Sequence, residues 1–363
     1  MTALANTQGA INLAQGFPDF ATSHPLQDLV HAYMRKGFNQ YAPMPGIMPL
    51  RERIAEKYVS IYDAVYDPEK EITITAGATQ AIYTCIAATI HEGDEVILFE
   101  PAYDCYAPAI RLHGGVPVHV ELTAPDYNIP WDMVKKKISG RTRMIMINTP
   151  HNPTGSIWNA SDMEQLEKIV HTRDIIVLSD EVYEHVLFDE ARHESVLRYP
   201  NLKERSFVIF SFGKTYHNTG WKIGYVLAPE ALTKEFRNVH QFLVFSVNTP
   251  IQYALADHMM DISGYHQVHT FYQEKRDAFL HYLKGSRFTF TPAKGTYFQL
   301  LDYSAISSES DVAFADRITI EHKVASIPLS PFYTNAPEQH VLRFCFAKED
   351  STLQKAADIL CKI

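Results

Sequence analysis

Residues 206–225 read "SFVIFSFGKTYHNTGWKIGY", and the reading given to the Gly-Lys-Thr in their middle decides the fold. One reading is a nucleotide-gripping P-loop, and "IIVLSDE" at 175–181, an apolar run ending in two acids, resembles the magnesium-holding strand of such proteins. A P-loop follows G-x-x-x-x-G-K-[ST], because backbone N–H groups must close around the phosphates, so its first glycine falls six residues before the lysine. That position is Val208. A β-branched valine inside a strand-like run cannot supply an open glycine turn, and Phe210 and Phe212 would crowd the loop. The acidic strand also precedes the Gly-Lys-Thr, against the usual order of the two motifs. The stretch is therefore a buried strand delivering Lys214 to its end.

Outward from this strand, "EITITAG", "DEVILFE", "GVPVHVEL", "TRMIMINT", "DIIVLSDE" and "KIGYVLA" are further short runs separated by helix-like stretches. Several are continuously apolar and rich in Val and Ile, as strands covered on both faces are. The expected fold class is α/β, a mostly parallel sheet with helices on both sides. After about Gly264 a polar helix, "YHQVHTFYQEKRDAFLHYL", leads into "RFTFTP", "GTYFQLLDY", a helix around 311–322, "HVLRFCF" and a C-terminal helix. This part reads as a smaller α+β domain. The expected division is a large domain over 28–264 and a small one made of 1–27 plus 265–363.

Composition narrows the partners. The chain has 363 residues, 46% apolar, with a formal net charge of −9; without a Lys/Arg block, this argues against nucleic acid or an anionic membrane surface and for small molecules. The start has no signal-type apolar core, and no apolar run approaches the roughly 20 residues that span a bilayer. A cytoplasmic location is expected. Cys85, Cys105, Cys345 and Cys361 show neither Cys-x-x-Cys nor His-rich spacing, so no metal site and no disulfide framework is expected.

A lysine at the end of a buried strand can instead form a Schiff base with pyridoxal phosphate, which makes separate demands on its surroundings. The pyridine nitrogen needs an anion from a strand end, and Asp180 closes "IIVLSD". The phosphate needs donors at a helix N-terminus, and "ITITAGATQA" reads as strand, turn and helix with Gly77, Ala78 and Thr79 at the turn. Ser211 and Lys222 flank the lysine and complete the cradle. Tyr103 in "EPAYDCY" is the candidate to stack on the ring, and Asn152 in "NTPHNPTG" with Tyr183 in "SDEVY" to donate to the ring's 3-oxygen. An amino-acid carboxylate needs a bidentate partner, for which Arg343 in "HVLRFCF" is the candidate. Each residue has a plainer reading alone: a helix cap, a turn signal, a core tyrosine, an edge-strand charge.

Taken together and in order, "INLAQGFPDF", "NQYAPMPGIMPLR", "TAGATQA", "NTPHNPTG", "SDEVYEH", "SFGKTYHNTGWKIGY", "FSVNTP" and "LRFCFAK" resemble the class I/II, fold-type I aminotransferases over essentially the whole chain, and particularly the methionine and kynurenine aminotransferase subgroup. The resemblance implies Lys214 as Schiff-base lysine and proton shuttle, Asp180 opposite the pyridine nitrogen, and Gly16, Asn152 and Arg343 on the substrate carboxylate. It further implies a homodimer with shared sites, with Tyr41 reaching the phosphate from the partner subunit. Phe17, Tyr41, Tyr103, Phe245 and Phe332 would form a side-chain pocket for methionine and other large apolar or aromatic donors, with glutamine and kynurenine as further candidates. Carbon–sulfur β-elimination on the same cofactor is the alternative chemistry. Two departures stand out: many relatives have arginine where this chain has Lys222, and an N-terminal arm expected in the subgroup is short or missing.

Overall fold

The computed structural model describes residues 1–261, 265 and 267–363, so the boundary expected at Gly264 lies outside the described residues. Strands β1 (Ile11–Asn12), β2 (Ile72–Thr75), β3 (Glu95–Glu100), β4 (Val116–Glu121), β5 (Thr142–Asn148) and β6 (Ile176–Asp180) are followed by β7 (Ser206–Ser211), β8 (Gly224–Leu227) and β9 (Phe298–Asp302). Three more, β10 (Val324–Ala325), β11 (Ile327–Pro328) and β12 (Val341–Cys345), complete the set. The main sheet has the order β2-β8-β7-β6-β5-β3-β4. It is parallel from β7 through β4, with β8 antiparallel to both of its neighbours. The fold is thus α/β with a mostly parallel sheet.

The continuous apolar runs have a simple cause. Along β3, β5, β6 and β7, alternate residues face opposite sides. Ile97, Phe99, Ile145, Ile147, Val177, Val208 and Phe210 enter one core with helices Met48–Tyr62, Ala160–His171 and Thr249–His258. Val96, Leu98, Met144, Met146, Ile176, Leu178, Phe207 and Ile209 enter a second core with helices Ala78–Thr89 and Glu230–Leu243. Each such side chain contributes about 1.5–3 kcal/mol when fully buried, so the middles of these strands are apolar on both faces.

A third core lies around the antiparallel sheet β11-β12-β9 and helices Val268–Tyr282, Asp311–Glu321 and Asp350–Leu360. The chain start joins this part, because Ile11 and Asn12 pair in parallel with Val324 and Ala325. "RFTFTP" contributes only the bridge between Thr289 and Asp302, since Pro292 has no N–H to extend a ladder. Leu13, Val182 and Tyr183 also belong to this third core, which ties the segment after β6 to the second layer. No helix among the described residues is long and apolar enough to cross a membrane, and none of their His, Cys, Asp and Glu clusters could hold a metal ion.

Strand order places the site. β4 lies on one side of β3 and β5 on the other, so the chain reverses its direction of advance there and opens a crevice beyond the strand ends. The loops carrying Tyr103 and Asn152 leave from that point. Asp180 and Ser211 end β6 and β7, and Gly224 stands opposite both Ser211 and Thr75 in the ladder. A Cβ on Gly224 would come 2.7 Å from the Phe210 carbonyl oxygen and 3.0 Å from the Ala78 nitrogen, so only glycine lets the turn after β2 approach the end of β7.

Candidate active site

Lys214 sits on the helical turn Phe212–Thr215 directly after β7. The glycine before it serves close packing and not phosphate wrapping: a Cβ on Gly213 would lie 2.9 Å from Thr219 Cα and 3.4 Å from Ser211 Oγ. The Lys214 Nζ donates to the Tyr297 hydroxyl at 2.5 Å and to the Gly16 carbonyl at 3.4 Å. Burial pushes its amine down to about 8, because the charged form loses hydration. More of it carries a free lone pair near neutrality than an exposed lysine would.

Two adjoining cavities meet at this lysine. The first, of about 150 Å³, is lined by Gly77, Ala78, Thr79, Tyr103, Asn152, Asp180, Tyr183, Ser211, Lys214 and Lys222. The second, of about 410 Å³, is lined by Gly16, Tyr103, Asn152, Tyr183, Lys214, Phe298, Phe332 and Arg343 among others. Tyr103, Asn152, Tyr183 and Lys214 are common to both. Every residue expected around the cofactor is therefore brought together except Tyr41.

The first cavity fits pyridoxal phosphate on its own chemistry. Asp180 is buried, and among the described residues its carboxylate accepts from the Tyr106 hydroxyl at 2.6 Å and the Val182 N–H at 3.3 Å. Burial pushes its carboxyl up to about 6, outweighing the Tyr106 and Val182 bonds and the charge of Lys214; a protonated ring nitrogen in contact would favour the charged form. At the opposite end, helix Ala78–Thr89 begins at Gly77 with no side-chain cap, which leaves its first N–H groups available to an anion. Gly77 has φ +80°, and a Cβ there would meet Lys222 Nζ at 3.3 Å. A cation thus hangs over those N–H groups, as a phosphate requires.

In the second cavity Arg343 lies on β12, the central strand of its sheet and not an edge, at 7% exposure. Its guanidinium carbon is 3.9 Å from the Phe298 ring centroid and 5.0 Å from that of Phe332. One nitrogen donates to Asn152 Oδ1 at 2.7 Å, and Nε has no partner among the described residues. A buried donor left open beside a cavity calls for an acceptor from the ligand, and a carboxylate matches the fork.

Three expected residues lie elsewhere. Tyr41, 80% exposed, and Phe245 stack edge to face at 5.2 Å on the outer surface, away from both cavities. Phe17 turns outward with Lys348 Nζ 4.4 Å from its ring. In return the structure adds residues that the motifs did not reveal. Tyr106 holds Asp180; the Tyr297 hydroxyl donates to the Gly16 carbonyl at 2.5 Å and accepts from Lys214. Asn148 donates to the Asp180 carbonyl and accepts the Asn152 N–H. For Tyr106 the three-residue spacing from Tyr103 was an available signal; for Tyr297, inside an apolar run, there was none.

The chain's similarities agree with this geometry. The family model "Aminotransferase class I and II" matches residues 8–360. The Escherichia coli K12 methionine aminotransferase is 47% identical over 361 residues, covering 99% of this chain and 94% of that protein. Human kynurenine–oxoglutarate transaminase 3 is 32% identical, covering 99% and 86%. Among solved structures, an Escherichia coli protein with methionine aminotransferase function superimposes with a TM-score of 0.98 at 46% identity, covering 100% of this chain and 96% of that one. The N-succinyldiaminopimelate aminotransferase of Mycobacterium tuberculosis gives 0.97 at 34%, covering 100% and 95%.

Proposed function

The chain belongs to the class I and II aminotransferases, enzymes that use pyridoxal phosphate, and from that premise we propose that it moves the amino group of methionine and other large apolar or aromatic amino acids to a 2-oxo acid. The observation that carries the substrate reading is the second cavity, which joins aromatic walls at Tyr103, Phe298 and Phe332 to the single carboxylate-gripping cation Arg343. The relatives named above are aminotransferases, and β-elimination is not favoured.

When bound, the cofactor supplies an electron sink for the charge left as the donor's Cα proton departs. Lys214, on the wall common to both cavities, would hold the Cα proton on its amine and release it again as the amino group is handed on. Tyr297 and the Gly16 carbonyl hold its amine in place. Asp180 provides the negative charge for the ring nitrogen, with Tyr106 fixing its orientation. Asn152 and Tyr183 would serve the ring's 3-oxygen, Tyr103 would stack on the ring, and Ala78, Thr79, Ser211 and Lys222 would take the phosphate. Arg343, steadied by Asn152, orients the donor carboxylate. Glutamine and kynurenine are further donors in this reading.

The active unit we propose is a homodimer. Its support is the exposed apolar surface with Tyr41, Phe245 and the 89% exposed Phe242, too much aromatic area to leave in water; across a twofold, Tyr41 and Phe245 would reach the partner's cavities. The proposed division into 28–264 and 1–27 plus 265–363 rests on the pairing of Ile11 and Asn12 with Val324 and Ala325. The four cysteines are free thiols, in keeping with a reducing, cytoplasmic compartment.

Methionine should exceed aspartate in kcat/KM by at least about tenfold with one fixed oxo acid, since burying a methionine-sized side chain contributes about 1.5–3 kcal/mol. An aspartate side chain would lose hydration, meet no cation beyond Lys214 and Arg343, and face Asp104 at the same cavity. An aspartate value at or above that of methionine would overturn the substrate reading. A second expectation concerns Arg343→Lys, which keeps the charge and loses the fork. Charge-assisted bonds of roughly 1.5–3 kcal/mol are at stake, so KM for the amino acid should rise about tenfold or more. Cofactor affinity should stay unchanged, because Arg343 does not line the first cavity; titration of cofactor and donor on the same variant separates the two.

A further inference from the structure

The wall of the second cavity is held by groups that never touch it. Phe332 lies in the segment 330–334, and the two ends of that segment are each fastened to a buried carboxylate from a different part of the fold. Asp311, 4% exposed at the start of helix Asp311–Glu321, accepts the Ser330 N–H at 2.6 Å and the Ser330 hydroxyl at 2.8 Å. Glu100, 6% exposed as the last residue of β3, accepts both the Thr334 N–H and the Thr334 hydroxyl on one oxygen, each at 2.8 Å. His119 on β4 stands beside this contact, its Nδ1 2.8 Å from the same Glu100 oxygen and its Nε2 3.2 Å from Thr334 Oγ1. Between the two ends, the Phe332 carbonyl accepts the Ala102 N–H at 2.8 Å.

We propose that Glu100 and Thr334 form a specificity-positioning clasp, which binds the Phe332 wall to the main sheet and so sets the room available to the donor's side chain. Glu100 is followed directly by Pro101, Ala102 and Tyr103, so one strand end fixes two of the cavity's aromatic walls, Tyr103 through the chain and Phe332 through the clasp. The ligand-side consequence runs through Phe332 itself, which lines the cavity where the donor's side chain must fit. Burial works against the charge on Glu100, yet the close approach of His119 and the bonds from Thr334 hold the carboxyl below its ordinary range; an ionised acceptor makes the stronger bonds. Thr334 itself is exposed, so a change there alters the clasp without opening a core. Residues that hold a binding group by hydrogen bonds from outside govern its precision.

The test takes the holoenzyme and compares Thr334→Val, Thr334→Ser and the unaltered chain with methionine and with alanine as donors; it rests on the aminotransferase reading only for these kinetics. Thr334→Val should raise KM for methionine roughly five- to tenfold, less than the full worth of a charge-assisted bond because the Ala102 N–H still holds the Phe332 carbonyl, with kcat and the KM for alanine both within about twofold. Thr334→Ser should restore the methionine value. Equal changes for both donors, no change for either, or a serine variant that fails to restore would each overturn the clasp. Failure of the unaltered chain to turn over methionine would refute the proposed function instead. The clasp is then read without substrate: Glu100→Gln should speed amide hydrogen exchange at Phe332, Tyr333 and Thr334 over that of the rest of the holoenzyme, and unchanged exchange there would overturn it.

Discussion

Lys214→Ala should lower turnover by about 10³-fold, within the 10²–10⁴-fold that a positioned acid–base group contributes. No neighbour can take over. Among the residues lining the first cavity the other amine is Lys222, held over Gly77 at the far end, and Tyr297 can relay a proton only to the amine that the variant lacks. Borohydride reduction of the unaltered holoenzyme, followed by peptide mass analysis, should find the cofactor fixed on Lys214; the variant should show no labelled lysine. Label on another lysine, or turnover within tenfold of the parent, would remove Lys214 from its assigned place.

Asp180→Asn should bind the cofactor and lose about 10²-fold or more in kcat. The amide keeps the shape and can still accept from Tyr106, so the loss isolates the charge; it should exceed the effect of a single neutral hydrogen bond, about 0.5–1.5 kcal/mol or at most roughly tenfold. A near-parental single-turnover rate would refute the assignment. The same variant carries a stability expectation of opposite sign. In the cofactor-free protein the Asp180 carboxyl is raised from 3.8 to about 6 by burial, so folding favours its protonated form. That stability is full below the unfolded value and is lost as pH rises through about 6. Cofactor-free Asp180→Asn should therefore melt higher than the parent at pH 8, with the difference shrinking as pH falls through 6 toward 4. The acid is costly until a cation sits beside it, a common property of functional sites.

The difference between these two residues and Tyr297 shows what could be read in advance. Asp180 ends, and Lys214 closely follows, a strand whose apolar run marks it as buried on both faces, so their positions follow from local pattern plus the rule that such sheets bind ligands beyond their strand ends. Tyr297 stands in "GTYFQL" with nothing local to separate it from a core tyrosine, and it reaches Lys214 across 83 residues of sequence. Arg343 illustrates a middle case. Its residue type suggested a carboxylate partner, but only the order β11-β12-β9 makes it central, buried and open to the cavity.

By itself, the sequence determined the alternation of buried strands and covering helices, the exclusion of a P-loop through Val208, and the candidates at the strand ends and turns, because each depends on side-chain period or backbone chemistry within a few residues. Only the tertiary structure decided that β8 runs against its neighbours, that Gly213 and Gly224 are there for close packing, and that Tyr41 and Phe245 lie outside their own chain's cavities. It alone brought Tyr106 to Asp180, Tyr297 to Lys214 and Thr334 to Glu100. The last of these pairs is 234 residues apart. Contacts of that kind are set by how whole elements pack across two layers, and a residue's own neighbours in the chain carry no term that specifies them.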